Sequence, residues 1–187
     1  MHRCSWVGDN ELMIDYHDKE WGVPLHDDVK LFEFLILEGA QAGLTWQIIL
    51  NKRENYRKAF HNFNPSKIAK FDKQDIQRLL NNSGIIRNRL KIESTIINAK
   101  KFLELKQDFG TFDKYIWQFV NYNPIKNKFK SLRELPAYTK ESDAMSGELK
   151  KRGFKFVGST ICYAFMQAVG MVNDHFVNCF RYNKIKW

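Results

Sequence analysis

The chain is short of acid: 21 Asp and Glu face 30 Lys and Arg among its 187 residues, leaving a formal charge of +9. That balance points to a polyanionic partner, most simply nucleic acid, although a merely basic soluble protein would have the same arithmetic. No apolar run approaches the length of a membrane span, so no membrane partner is expected. The opening Met1-His-Arg-Cys-Ser-Trp6 lacks the apolar centre of a signal peptide, and the expected location is the cytoplasm. Three cysteines, Cys4, Cys162 and Cys179, are too few and too odd in number for a disulfide framework, which leaves reduced thiols or metal ligation. Several signatures are missing altogether: the G-x-x-x-x-G-K-S/T phosphate loop, G-x-G-x-x-G after a strand, the H-x-E with P-C-x-x-C of base deaminases, and the G-x-S-x-G elbow. The chemistries they carry lose their footing here. Alternating strand patterns and internal repeats are also absent.

What is present is 44% hydrophobic and 14% aromatic content, enough to fill one domain spanning 1–187 or two small lobes sharing a core. The pattern predicts an all-α fold of seven to nine helices. Residues 1–26 show little periodicity but hold Trp6, Tyr16-His17-Asp18 and Trp21, as expected of a wrapped segment tied down by contacts or a metal. From a cap at Asp27 or Asp28, Leu31, Phe34, Leu35, Glu38 and Ala42 share one helical face. Gly39 and Gly43 bracket a break, and Thr45 can cap a helix bearing Trp46, Ile49, Arg53, Tyr56 and Phe60. Asn64-Pro65 and Asp72-x-x-Asp75 begin two short helices, and a longer one from about Arg87 carries Leu90, Ile96 or Ile97, and Phe102 or Leu103. Thr111 caps another, and 121–141, with its prolines and lysines, connects two lobes.

The stretch 142–172 has a distinct organisation. Ser142 can cap a helix with Met145 and Leu149 on one face, a basic last turn ending in Arg152, and a left-handed stop at Gly153. A five-residue hairpin ends at Gly158, and Ser159 or Thr160 can cap a second helix with the apolar face Ile161, Phe165, Ala168 and Val172. Bare amides at that helix start, beside Arg152 and Lys155, would suit a phosphate; the plain alternative is an ordinary basic helical hairpin.

Two constellations carry chemistry. Glu38 lies on an apolar face, where a carboxylate is costly unless it has a partner or a task; it either works in a site or accepts hydrogen bonds and only holds structure. Trp46 follows across the glycine joint, close enough to share a cavity with it, or serves as core. Cys4, His17, His175 and Cys179 supply two Cys and two His, His175-x3-Cys179 being spaced for zinc. Four protein ligands leave no position for water, so the expected metal is one structural zinc stapling the two ends together.

Longer motifs then carry a resemblance. Arg3-Cys4-x-Trp6, Tyr16-His17-Asp18-x-Glu20-Trp21-Gly22-Val23-Pro24, Leu37-Glu38-Gly39-x-Gln41-Ala42-Gly43-Leu44-x-Trp46 and Lys151-Arg152-Gly153-Phe154-Lys155-Phe156-Val157-Gly158 closely resemble bacterial 3-methyladenine DNA glycosylase I. The similarity runs from residue 1 to about 180. It implies a two-lobed helix-hairpin-helix glycosylase fold with zinc on Cys4, His17, His175 and Cys179. It also implies a base pocket in which Glu38 and Tyr16 hydrogen-bond the base, Trp46 and Trp6 wall it, and Leu44 probes the DNA gap. Arg152, Gly153, Lys155, Gly158 and Ser159 would hold the backbone of double-stranded DNA. The implied activity is a DNA-repair hydrolysis: N3-methyladenine is flipped out of alkylated DNA and released as free 3-methyladenine, without strand cleavage, by an enzyme most simply a monomer. Two positions depart from that pattern: Met13 stands where relatives carry tyrosine, and Asn173 appears where most helix-hairpin-helix glycosylases keep aspartate, beside Asp174. A non-enzymatic zinc-stapled nucleic-acid module is the rival reading.

Overall fold

Residues 1–26 contain a helix that their pattern conceals. The computed structural model, which describes residues 1–185, forms α1 over Glu11–Lys19, with the Asn10 side chain accepting from the Met13 amide at its start. The helix is masked because its buried residues are Met13, Tyr16 and His17, at helical spacing but without a single aliphatic branch.

Next comes the helix on which the rest is assembled, α2 (Asp28–Gln41), capped by Asp27. Leu31 through Ala40 are all buried, so α2 has no solvent face along these turns. Each of its fully covered leucines and phenylalanines contributes about 1.5–3 kcal/mol of burial. Gly39 does not break the helix, as its composition suggested; α2 continues to Gln41 and turns at Gly43, whose φ is +78°. Gly39 is needed for a close approach instead: a Cβ there would stand 3.2 Å from the Phe156 Cβ. Thr45 opens α3 (Trp46–Ala59) in extended conformation but makes no side-chain capping bond. Ile49, Arg53, Tyr56 and Phe60 are buried along α3 as the spacing predicted.

Asn64 and Pro65 start α4 (Pro65–Ile68), and a reciprocal Asp72–Asp75 capping box starts α5 (Lys73–Leu80). Then α6 (Arg89–Phe109), capped by Asn88, packs against α2, α4 and α5. Leu90 does not join the core; it is 67% exposed, whereas Ile92, Ile96, Ala99 and Phe102 turn inward. Thr111 caps α7 (Phe112–Trp117).

The fold is mostly helical, with nine α-helices among the described residues, yet it is not purely so. β1 (Ile125–Lys126) pairs in parallel with β2 (Val172–Asn173), Ile125 opposite Val172. Two residues per strand are too few for an alternating pattern. Between them lie α8 (Lys140–Lys151) and α9 (Ser159–Ala168), packed on one another, with α9 also against α2. Thr139 caps α8 and Ser142 closes the capping box at the third position, so the cap lies three residues before the one expected. Gly158, not Ser159 or Thr160, caps α9, and Val172 belongs to β2 instead of the helix. Gly153 does stop α8, with φ +88°. One hydrophobic cluster runs from Cys4 to Cys179, and no helix among the described residues is long and apolar enough to cross a membrane.

Candidate active site and metal cluster

Where the end of α2 faces α1, the first turn of α3 and α9, the packing leaves a cavity of about 190 Å³. Trp6, Met13, Tyr16, Glu38 and Trp46 line it together, so residues up to 40 positions apart in sequence are drawn to one concavity by three helix ends. Tyr16 and Trp46 stand with ring centroids 5.3 Å apart and planes inclined by 46°, packed side by side as adjoining aromatic parts of the cavity wall. Trp6 meets Trp21 edge to face at 4.8 Å, and Trp21 is also in the lining. Met13, one helical turn before Tyr16, puts a thioether where an aromatic wall was in question.

Glu38 is 4% exposed, and no hydrogen bond from a described residue acts on its carboxylate. Burial therefore pushes its carboxyl pKa up to about 8. The contrast is Glu33, on the same helix and as deeply buried, which is bonded by Arg53 at 2.6 Å and Arg57 at 2.8 Å. Glu33 is thus the glutamate that holds structure, and Glu38 the one left open. Tyr16 is buried at the same cavity, and its phenol is raised well above 10, first by desolvation and then by Glu38. The Trp46 Nε1 proton is buried without a partner too. An unpaired acceptor, an unpaired donor and facing π surfaces make a receptor for a flat, polar-edged, electron-poor ring.

The cavity stops short of a second cluster. Cys4, His17, His175 and Cys179 are buried, and their ligand atoms all lie within 4.8 Å of one another. His17 Nε2 is 3.2 Å from His175 Nδ1 and 3.4 Å from Cys179 Sγ, while His175 Nδ1 is 3.7 Å from Cys4 Sγ and 3.6 Å from Cys179 Sγ. Zinc bond lengths of about 2.0–2.3 Å define a tetrahedron with edges of about 3.3–3.8 Å; these four separations lie at or close to that range, and the remaining pairs fall within 4.8 Å. Each imidazole is held from behind: His17 Nδ1 by Asp18 at 2.8 Å and His175 Nε2 by the Trp21 carbonyl at 3.0 Å. Asp18 is fixed in turn by Arg3, whose bond holds that carboxyl below its ordinary pKa. Cys162 lies outside the cluster, buried in the core with its thiol on the Val157 carbonyl.

Both residues at the 173–174 position are engaged in hydrogen bonds. Asn173 donates to the Tyr182 carbonyl and accepts from the His175 amide, and Asp174 accepts from Tyr163, Gln167 and Asn127.

The predicted DNA contacts divide. Lys155 is exposed, and its backbone is clamped in both directions by Asn98, at 2.8 and 2.9 Å. Arg152 instead bonds Asp108 at 3.0 Å and lies over the rings of Phe109 and Tyr115. Gly158 and Ser159 form the start of α9. Leu44 is half-buried in the turn after α2, lining a neighbouring cavity that shares Glu38 and Gln41 with the first. Sequence reasoning missed Gln41, Gln167, Leu132 and Leu135 in the lining. The two leucines sit in a stretch read as a connection, and local pattern carries no sign of what they reach.

Known proteins resemble this chain along almost its whole length. The family model described as methyladenine glycosylase matches residues 6–182. The chain is 53% identical to DNA-3-methyladenine glycosylase 1 of Escherichia coli K12, covering 96% of each. Among solved structures, 3-methyladenine DNA glycosylase I from Staphylococcus aureus aligns with a TM-score of 0.95 at 34% identity, over 100% of this chain and 99% of that one. A Tyr-to-Phe variant of such an enzyme, in complex with 3-methyladenine, aligns with a TM-score of 0.95 at 33% identity over 100% of both chains. With its aromatic slot, its open glutamate and these relatives along almost its whole length, this chain belongs to the methyladenine glycosylase family.

Proposed function

We propose that the protein is a monofunctional DNA-3-methyladenine glycosylase that hydrolyses the bond between N3-methyladenine and deoxyribose in alkylated duplex DNA. The observation that carries this reading is the Glu38 carboxyl, buried without a hydrogen-bond partner in the cavity that Tyr16 and Trp46 also line. N3-methylation makes the base cationic, and a cation is drawn both to π faces, by about 0.5–2 kcal/mol each, and to a carboxylate. Glu38 is largely protonated in a neutral, apolar setting and gives up its proton as the cation enters, so a neutral adenine receives no such reward.

The damaged nucleotide unstacks, which costs less than for an intact pair, and its base enters between Trp46, Trp6 and Tyr16 with Glu38 on its polar edge. The bond from C1′ to the base breaks, its electron pair passes to the base and neutralises it, and water attacks C1′ with loss of a proton to solvent. Little further catalysis is required, because the leaving group is already activated. Ser159 and Thr160, not lysine, follow Gly158, which supports hydrolysis over a Schiff base and strand cleavage.

The same reading makes α8, its connection and α9 a helix-hairpin-helix in which Lys155, Gly153, Gly158 and the first amides of α9 take a phosphate. Cys4, His17, His175 and Cys179 would hold one zinc ion, which when bound supplies a structural crosslink and no open position for the reaction. Release of free 3-methyladenine from methylated duplex DNA tests the activity directly. A purified protein that binds the DNA but releases no base would be the non-enzymatic module instead.

A further inference from the structure

The segment read from sequence as a connection does more than join two parts of the chain. We infer that the arm Lys128–Leu135 is a second DNA-binding element, in which Leu132 and Leu135 cover the flipped nucleotide at the cavity mouth while Lys128, Lys130 and Arg133 take the phosphates flanking it. The inference rests on the glycosylase reading for the identity of the base, but not for the contact with DNA.

Two independent observations carry it. Leu132 is 53% exposed, yet it lines the same cavity as Glu38 and Trp46, with Leu135 beside it. An apolar side chain held in water at the rim of an aromatic slot gains burial only when something enters the slot. The second observation is charge. Along Lys126–Arg133, exposed cations alternate with inward residues: Lys128 and Lys130 face out, Asn127, Phe129 and Ser131 less so, and Arg133 is exposed beside Leu132. Lys126 is already engaged, bonded to Asn183 and lying over the Tyr182 ring. Lys128, Lys130 and Arg133 have no carboxylate within ion-pair reach among the described residues. The one acid of the arm, Glu134, is spent on the arm itself, accepting from the Lys130 amide at 2.9 Å and the Ser131 hydroxyl at 3.3 Å.

Those bonds also stiffen the arm. Its short turn, Leu132–Glu134, is closed by Glu134 on the Ser131 carbonyl and Leu135 on the Leu132 carbonyl. At its root the Asn127 amide donates to the Asn173 carbonyl, and the Phe129 carbonyl accepts from Val177, between His175 and Cys179. The leucines are therefore presented from an anchored support, and little order has to be gained on binding.

The test uses the full chain in two variants. Lys128→Gln/Lys130→Gln/Arg133→Gln removes exposed charge only and should melt with the parent. It should bind duplex DNA carrying an abasic analogue at least tenfold more weakly at about 0.1 M salt, and its salt slope should fall by about 2–3. Binding of free 3-methyladenine should not change. Leu132→Ala/Leu135→Ala should do the reverse, weakening the free base about tenfold with the salt slope intact. An unchanged salt slope in the charge variant, or unchanged base affinity in the leucine variant, overturns the inference. Failure of the parent to release base would instead overturn the glycosylase reading, while the salt slope would still report on the arm.

Discussion

The Lys91 ammonium, reaching across from α6, donates to the Ala42 carbonyl at 2.7 Å and also to the Ala40 carbonyl at 2.8 Å. It is a cation set on the negative end of the helix that carries Glu38, and it holds the turn that carries Leu44. Lys91→Met should remove two charge-assisted bonds worth about 1.5–3 kcal/mol and lower Tm by roughly 5 °C. Excision from duplex DNA should fall more than affinity for the free base, because the freed turn meets DNA first. Lys91→Arg should recover much of both losses. Equal loss of free-base binding and excision in the Met variant would mean that the whole pocket, not the turn, depends on Lys91.

The hairpin offers a second comparison between two cations that look alike in sequence. Lys155 is exposed and uncommitted, whereas Arg152 is engaged with Asp108, Phe109 and Tyr115. Lys155→Ala should weaken every duplex alike and lower the salt slope by about 0.9, with Tm unchanged. Arg152→Ala should mainly lower Tm, since it uncovers aromatic surface. Salt-titrated DNA binding together with thermal melting separates them; a larger change of slope for Arg152 than for Lys155 would reverse the assignment.

How far these features were legible depends on their range. Asp27, Asn64, the Asp72–Asp75 box and Thr111 act within one turn of chain, and local sequence revealed each of them. Glu38 stood out because an acid among leucines is rare, but only packing separates it from Glu33, which found two arginines. The four metal-type residues were legible by chemistry alone. Gly39 was misjudged as a break because its reason lies in Phe156, more than a hundred residues away. The same holds for Leu132 and Leu135, apolar residues in a lysine-rich loop whose meaning is set by a cavity built from α1, α2 and α3. Helix α1 was lost for the opposite reason: its pattern was local but written in Met, Tyr and His.

The Cys–His cluster proposed to hold zinc and the pocket share their supports, which gives a third expectation. Trp6 is two residues from Cys4, Tyr16 adjoins His17, and the Trp21 carbonyl holds His175. Cys179→Ser, at the far end of the chain from the pocket walls, should abolish bound metal and lower Tm by on the order of 10 °C. Affinity for 3-methyladenine should fall as well, with a change in tryptophan fluorescence. Metal content, melting and base binding of the one variant decide the matter. A variant that loses metal yet binds the base as tightly as the parent would show the cluster and the pocket to be independent.

Glu38→Gln separates a reader of charge from a structural glutamate. The neutral amide keeps the shape, so duplex affinity should hold, while free-base affinity and excision drop by about tenfold or more with the loss of a charge-assisted bond. Stability should move the other way. The Glu38 pKa is raised from 4.5 to about 8 in the folded chain, so its carboxyl is compatible with the fold below pH 4.5 and opposes it progressively as pH rises through 8. The cost of ionising it in place reaches on the order of a few kcal/mol above that range. The Gln variant has no such loss. Its Tm should therefore match the parent near pH 4.5 and exceed it increasingly towards pH 9, when both are melted without ligand. Saturating base should narrow that gap, since hydrogen bonds donated by the bound base favour the carboxylate. A Gln variant that melts below the parent across the whole range and still binds 3-methyladenine as tightly would make Glu38 a structural residue, and the cavity lined by Tyr16 and Trp46 would no longer be the site of recognition.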